Sequence, residues 1–509
     1  MLKQIFFCLI SFPLLAQTIP VGMADLAEER LRNEQLISGA QHSFTIRPVS
    51  DTVARHMLPL TIQANFNSYA PLGYNDGAMV PARGLQTLLT GGVFYKYKAL
   101  SIQLKPEILW AANKDFATFS LSQTDKARRA MVYYLTTADI PERFGEDPIT
   151  KLYSGQSSLR ISSKSVSFGI STENLWWGPG FRNSLLMTNN APGFLHATFN
   201  SVKPVKTFAG NLEFQWIAGK LTGSGLEPSM AEVTVGGVNY FWPKSQDWRY
   251  MTGITLNYQP KWVPGLYLGF SRVFQVYSKD LGKGLTDFFP ILLPFQKKST
   301  TQEDDKKRDQ LASISARWVF PAAQLEIYAE GGWNDYFINI WDFLVFPDHS
   351  YASTLGLRKL FKKSNGNYIR VAMESTTMAM TSGRILRNEG SWYRHWIVRS
   401  GYTQQGQVIG AGIGPGGSSQ IIDVASISSK KALGITFERL AHNLDFVYDG
   451  LTNYNQKWVD LILGGYYQVR HKDIGINASL SAAWIRNYQW DLDNHRFNLQ
   501  ARLSVSRYF

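Results

Sequence analysis

Polar and apolar side chains alternate residue by residue along segments of about ten residues through most of this chain. A period of two belongs to an extended strand with one apolar face, not to a helix. In segment 497–509, Phe497, Leu499, Ala501, Leu503 and Val505 form one row, and Asn498, Gln500, Arg502, Ser504 and Ser506 form the other. Segment 165–172 sets Val166, Phe168 and Ile170 against Ser165, Ser167 and Gly169. Two further runs, 251–258 and 266–274, are joined by QPKWVPG at 259–265, a hairpin signal. Such runs recur from near Leu60 to Phe509, roughly sixteen to nineteen of them, and bacterial barrels favour even counts. The expectation is an all-β, antiparallel transmembrane barrel of about 18 strands. Closure follows from lipid, where an open sheet edge would strand N–H and C=O groups in hydrocarbon. A soluble sandwich would divide near ~100 residues, and a propeller would show internal repeats, of which there are none.

Composition agrees. Charged residues make up 18% and aromatics 14%, a balance shifted from the ~25% charge of ordinary soluble domains. With 44% hydrophobic residues the chain is not disordered, and past Ala16 it has no run of ~18 apolar residues for a spanning helix. Residues 1–16 have the short basic start, apolar stretch and small-residue end of a cleaved signal peptide. The one cysteine, Cys8, lies within it, which leaves the exported chain without disulfides, thiolate chemistry or cysteine-ligated metals. Residues 25–38 read as a helix stopped by Gly39, and residues 125–135 as a second. The expected division is leader 1–16, helical periplasmic segment 17–50, and outer-membrane barrel 51–509 with inward or plug loops.

Enzymatic motifs are mostly missing. There is no HExxH or GxSxG, the eight histidines never fall at metal-ligand spacing, and no cofactor or metal is implied. A serine–histidine pair built across strands would use His395 or His442. The glycine-rich stretch 406–419 lacks the following helix and Lys-Ser/Thr of a phosphate loop. Segment 278–310 is the longest without strand character, and its charge run 303–309 reads as a solvated loop tip.

The densest unusual segment is 171–193. Trp176 and Trp177 are followed by Gly-Pro-Gly, which cannot continue a strand because Pro179 has no ladder donor. The segment must leave the wall as a turn or inward loop carrying Trp176, Trp177, Phe181, Arg182, Asn189 and Asn190. Indole faces stack on sugar rings, and Arg and amide groups bond hydroxyls and carboxylates; the same residues would equally serve as packing anchors and turn chemistry. Downstream, a polar row contains Glu213, Lys220, Glu330, Asn334, Asp335, Glu374, Arg394, His395, Tyr402, Gln404, Glu438 and Arg439. These form either a cross-lumen plug network or ligand contacts. Tyr95/Tyr97, Trp392/Trp396, Tyr466/Tyr467, Tyr488/Trp490 and Tyr508 are expected as interfacial girdles. The net charge of +13 is dispersed, with no nucleic-acid motif. It favours acidic polysaccharide or lipopolysaccharide phosphates. A chain ending on strand and Phe509 also suits the barrel-assembly machinery, with outer-membrane lipid around the wall.

The block ENLWWGPGFRNSLLMTNNAPG at 173–193, PVKT at 204–207 and GNLEF at 210–214 resemble the central signature of the Wzi-type capsule-assembly outer-membrane proteins. So do YAE at 328–330 with Asn334 and Asp335, HSY at 349–351, His395 and GYTQQGQ at 401–407, while 25–39 resembles the start of that family's mature chain. The resemblance implies an eighteen-stranded outer-membrane lectin that binds capsular polysaccharide and organises the capsule without catalysis, with helices near the periplasmic end. A porin for small solutes is the alternative reading, and an outer-membrane hydrolase a third.

Overall fold

The computed structural model describes residues 27–39, 55–292, 306–335, 340–385 and 390–509. The expected leader 1–16 lies outside them. Eighteen strands form one closed antiparallel wall. Three of the eighteen are interrupted, at 105–106, 154–157 and 202–204; the first and last breaks contain Pro106 and Pro204, which cannot donate to a ladder. Closure is direct: the first strand, Arg55–Asn67, pairs with the last, Arg496–Arg507, placing Ile62 opposite Val505.

The alternation is inverted relative to a soluble sheet. Phe497, Leu499, Leu503 and Val505 face out, at 47%, 40%, 46% and 39% exposure, while Asn498, Gln500, Ser504 and Ser506 are buried inward. Phe168 and Ile170 point out and Ser167 in by the same parity. Apolar side chains covering the outside of a closed wall are what a hydrocarbon solvent selects.

Turns at one end are short, at 98–99, 163–165, 321–324, 428–430 and 472–473. Loops at the other are long, at 68–83, 112–148, 172–195, 222–248 and 378–417; short turns mark the periplasmic end and long loops the outer one. The expected first helix is Ala27–Ser38. It lies at the short-turn end of the lumen, where Leu36 packs with Tyr267, Val319, Leu360, Ala425 and Ile427. The second is Asp125–Thr136, capped by the Thr124 hydroxyl, which accepts the Ala127 amide at 3.3 Å. Its face of Met131, Val132 and Leu135 packs on Phe446 and Val447 of Leu444–Gly450, so the two helices roof part of the outer end.

Three expectations change. Of the aromatic girdle, Tyr95, Tyr97 and Tyr467 face outward. Tyr466 is on the inward row and donates to Asp423 at 2.9 Å. Trp392, Tyr488 and Trp490 are buried among the loops, and Trp396 stands on a loop above the wall. Strand parity, not aromatic content, decides which ring meets lipid. In the charge run, residues 303–305 lie outside the described residues. Lys306 and Lys307 pair with Asp287 and Asp280, but Arg308 and Asp309 are buried, and Gln275 donates to Asp309 at 2.7 Å. That end of the run starts a wall strand and is not a solvated tip. The third change concerns Arg439, taken up with the site below.

Candidate functional site

The loop after strand Val166–Ser171 turns into the lumen. An isolated bridge between Trp177 and Met187 closes it as a hairpin, and Trp177 Nε1 donates to Gln215 of the wall at 2.9 Å. Gly178 sits at φ +135°, and a Cβ there or on Gly180 would overlap Ser184 Oγ or the Asn183 carbonyl oxygen. The two glycines let the tip close on itself. The tip then wraps two wall carboxylates. Glu374 accepts the backbone amides of Phe181, Arg182 and Asn183 at 2.8, 3.2 and 2.7 Å and the Tyr328 hydroxyl at 2.7 Å. Glu330 accepts the Ser184 hydroxyl and Leu185 amide, both at 3.2 Å. Successive amides converging on one anion form a nest that fixes backbone conformation. Arg182 bonds Glu438 at 2.9 Å and lies 4.1 Å from the Tyr74 ring, and the Tyr74 hydroxyl donates to Glu438 at 2.5 Å. Burial pushes the Tyr74 phenol up, which keeps it a donor.

A second loop, 390–417, fills the space above. Tyr393 donates its hydroxyl to the Leu185 carbonyl at 2.5 Å and accepts the Ala411 amide at 2.8 Å. Thr188 and Asn190 donate to the carbonyls of Gly410 and Val408 at 2.6 and 2.9 Å, and Asn189 donates to Asn75 at 3.1 Å. Tyr402 stacks on Tyr393 at 5.7 Å, and Gln404 accepts the Thr222 amide at 2.9 Å. Glycines 410 and 412 lie against Tyr393, Tyr74 and Asn190 with no room for a Cβ. That close approach accounts for the glycine-rich stretch. Trp177, Leu185, Leu186, Met187, Trp392, Tyr393, Tyr402 and Ile409 form one buried apolar cluster inside the wall. The lumen is stoppered.

Beneath the stopper, the N-terminal helix closes the periplasmic side. Arg32 donates to the Pro179 carbonyl and lies 3.5 Å from Glu326, which also pairs with Arg317 at 2.5 Å. Glu29 pairs with Arg358 at 2.9 Å. Between helix and stopper a cavity of about 280 Å³ remains, lined by Trp176, Phe181, Arg182, Glu29 and Arg502 among others.

The structure thus brings Trp176, Trp177, Arg182, Asn189, Asn190, Tyr402 and Gln404 together inside the lumen, with Glu330 of the wall holding the loop tip. Glu213 is buried on the inner face of Gly210–Leu221. Asp335 ends a strand at φ +73°, its backbone amide and carbonyl both bonded to Gln310. His395 Nδ1 accepts the amides of Ile397 and Val398 at 3.2 and 2.9 Å, closing a turn. Arg439 departs from the lumen row. It follows inward Glu438 on Lys431–Ala441, so it points to the outer face, where it donates to Gln420 at 2.8 Å. His442 pairs with Asp460 at 2.9 Å and stacks on Trp458. No group of three potential metal ligands occurs among the described residues.

The outer face carries a hollow of about 540 Å³ that sequence reading did not find. Its rings are Tyr133, Tyr240, Trp242 and Trp396, exposed by 51%, 40%, 49% and 41%. Tyr133 stacks on Trp396 at 5.8 Å, and Trp242 lies tilted 5.2 Å from Trp396. The Arg394 guanidinium is 5.0 Å from the Tyr133 ring and donates to Thr137 at 2.9 Å; Arg399 sits 4.8 and 5.2 Å from Trp242 and Trp396. These residues come from three segments far apart in the chain: Tyr133 from the helix Asp125–Thr136, Tyr240 and Trp242 from loop 222–248, and Arg394, Trp396 and Arg399 from loop 378–417. The one local signal was the run from Arg394 to Arg399, which mixes His395 and Trp396 with two arginines.

A closed wall with apolar outside, polar inside and loops folded into the lumen defines a stoppered outer-membrane β-barrel. The chain belongs to the capsule assembly protein Wzi family, whose model matches residues 90–496. Among solved structures it is similar to Wzi of Escherichia coli, an outer-membrane protein involved in group 1 capsule assembly and a carbohydrate-binding β-barrel. Identity is 12%, the TM-score 0.59, and coverage 89% of this chain and 85% of that one. The Acinetobacter baumannii protein OccAB4 aligns over 90% of this chain and 98% of its own at 9% identity, with a TM-score of 0.42. Pseudomonas aeruginosa OccK7 aligns over 89% and 99% at 9% identity, with a TM-score of 0.41. No curated protein matches the sequence. The protein is a bacterial outer-membrane barrel.

Proposed function

We propose that this protein is a non-enzymatic outer-membrane lectin that binds capsular or other surface polysaccharide and holds or organises it at the cell surface. Family membership supplies the biological setting. The observation that carries the reading is the stopper: Trp177, Tyr393 and Tyr402 lie fully buried across the lumen, in a plug whose loop tip is held by the wall carboxylates Glu330 and Glu374. A solute channel needs an open path, whereas a barrel sealed from within offers only its outer loops to large ligands. There, aromatic rings and cations favour an acidic glycan. The surrounding outer-membrane lipid and the barrel-assembly machinery are its other proposed partners.

The test uses the detergent-folded barrel and surface polysaccharide from the producing cells, by surface plasmon resonance or co-sedimentation. Binding is expected, together with loss of cell-attached polysaccharide on deletion of the protein. Failure of the folded barrel to bind, with attachment unchanged in the deletion strain, overturns the reading. Large steady currents in planar bilayers would favour a porin instead.

A further inference from the structure

The outer hollow has the composition of a subsite for one charged sugar. Its rings are partly open to solvent although the stopper holds ample buried apolar volume for aromatics, so packing alone does not account for them. Its charge is predominantly positive, with Asp449 as the carboxylate in its lining. Lys126, Arg129 and Arg394 line it and Arg399 packs on its two tryptophans, and none of these four forms an ion pair with a carboxylate among the described residues. The carboxylates nearby are engaged: Asp449 pairs with Arg384 at 3.1 Å and Asp125 with Arg128. Arg394 is held in place by two tyrosine rings and by Thr137 at the end of the helix Asp125–Thr136, which removes much of the entropy it would lose on binding.

Resting on the lectin reading above, we infer that this hollow is the subsite for a uronic acid residue of the polysaccharide. The sugar's apolar face lies on the exposed indoles of Trp242 and Trp396, and its carboxylate meets Arg394 and Arg399. Guanidinium suits this role because its planar donors match a carboxylate in two parallel bonds. A neutral sugar would leave the cations uncompensated, so selectivity for acid is built into the site.

The experiment measures binding of three probes to the folded barrel: the producing cells' polysaccharide, polygalacturonate, and neutral dextran of matched length. The variants are Trp242→Ala, Trp396→Ala and Arg394→Gln/Arg399→Gln, each checked for folding by its shifted gel mobility before heating. The expected result is binding of the first two probes and not dextran, weakened about tenfold or more by either tryptophan variant. The arginine variant should lose both affinity and most of its salt dependence. Trp242 is half exposed on the rim, so its variant tests the site without disturbing the stopper. Unchanged binding by folded variants overturns the subsite while the lectin reading stands. Equal binding of dextran overturns the uronate assignment. Absence of binding by the native barrel to any of the three overturns the lectin reading and the subsite together.

Discussion

Glu374 Oε1 accepts the Asn183 amide at 2.7 Å, joining the inner face of a wall strand to the tip of the loop that fills the barrel. Its other oxygen receives Phe181, Arg182 and Tyr328, and Glu330, two strands away, receives Ser184 and Leu185. Loop conformation is thereby set by the wall, and the seal depends on two buried carboxylates. Glu374→Gln replaces one acceptor oxygen with a donor and leaves a buried amide unpaired, at a cost of about 1–3 kcal/mol. We expect single channels in planar bilayers to change from closed in the native protein to frequent openings in E374Q, with more in E330Q/E374Q. Closed traces in the double variant would show that the upper loop seals the lumen by itself.

Gly180 makes a sharper case, since any side chain there meets the Asn183 carbonyl, a backbone atom that cannot swing aside. Gly180→Ala should assemble a wall but fail to seat the loop, detected as Trp177 becoming quenchable by iodide and as leak current. Gly223→Ala is the control, because its nearest neighbour would be Asp139 Oδ2 at 3.5 Å. Equal behaviour of the two variants would remove the steric account of the Gly-Pro-Gly motif.

The wall was legible because lipid and lumen impose opposite demands on adjacent residues, as Phe497 and Asn498 show, and such a demand repeats every second position. Pro179 and its flanking glycines likewise announced a departure from the wall. Which carboxylates receive that departure was not readable. Glu330 and Glu374 follow the loop by about 150 and 190 residues, and pairing at that separation is set by the closed register. Parity alone would have separated Arg439 from Glu438, an inference available from the strand pattern but masked by their shared polarity. The hollow of Tyr133, Trp242 and Trp396 was invisible for a different reason: Trp242 and Trp396 lie in loops that carry no period, and they meet Tyr133 of the helix Asp125–Thr136 only after the barrel brings these segments together.

Asp445 offers a pH test outside the wall. It lies in the first turn of the helix Leu444–Gly450, accepts Met380's amide at 2.7 Å and Ser391's hydroxyl at 2.5 Å, and burial pushes its carboxyl up to about 6. A folded-state value raised above the unfolded one means that the native protein binds the extra proton. Stability from this group is therefore full at low pH, falls as pH rises from about 4 through about 6, and is level above. Asp445→Asn holds the neutral form at every pH. Melting of the two proteins followed from pH 4 to 8 should show the native barrel losing ground to D445N over that window. A constant difference would mean that Asp445 titrates alike folded and unfolded.

The N-terminal helix gives the last test, because Glu326 is fully buried among Arg32, Arg317 and Arg358, at 3.5, 2.5 and 4.0 Å. Arg32 spans the space between this cluster and the stopper by also donating to Pro179. Removing the carboxylate takes one anion from among three buried guanidinium groups, which costs about 3–5 kcal/mol when one member of a buried pair is lost. Neutral Glu326→Gln should expel the helix and leave the wall, whose strands are joined by ladder bonds throughout. Limited trypsin digestion would then cut at Arg30 and Arg32 at least tenfold faster in E326Q, while the heat-shifted gel mobility of the barrel stays as in the native protein. Equal cleavage rates would place the holding force in the apolar contacts of Leu36 with Val319 and Leu360, and Leu36→Ala would then be the variant that frees the helix.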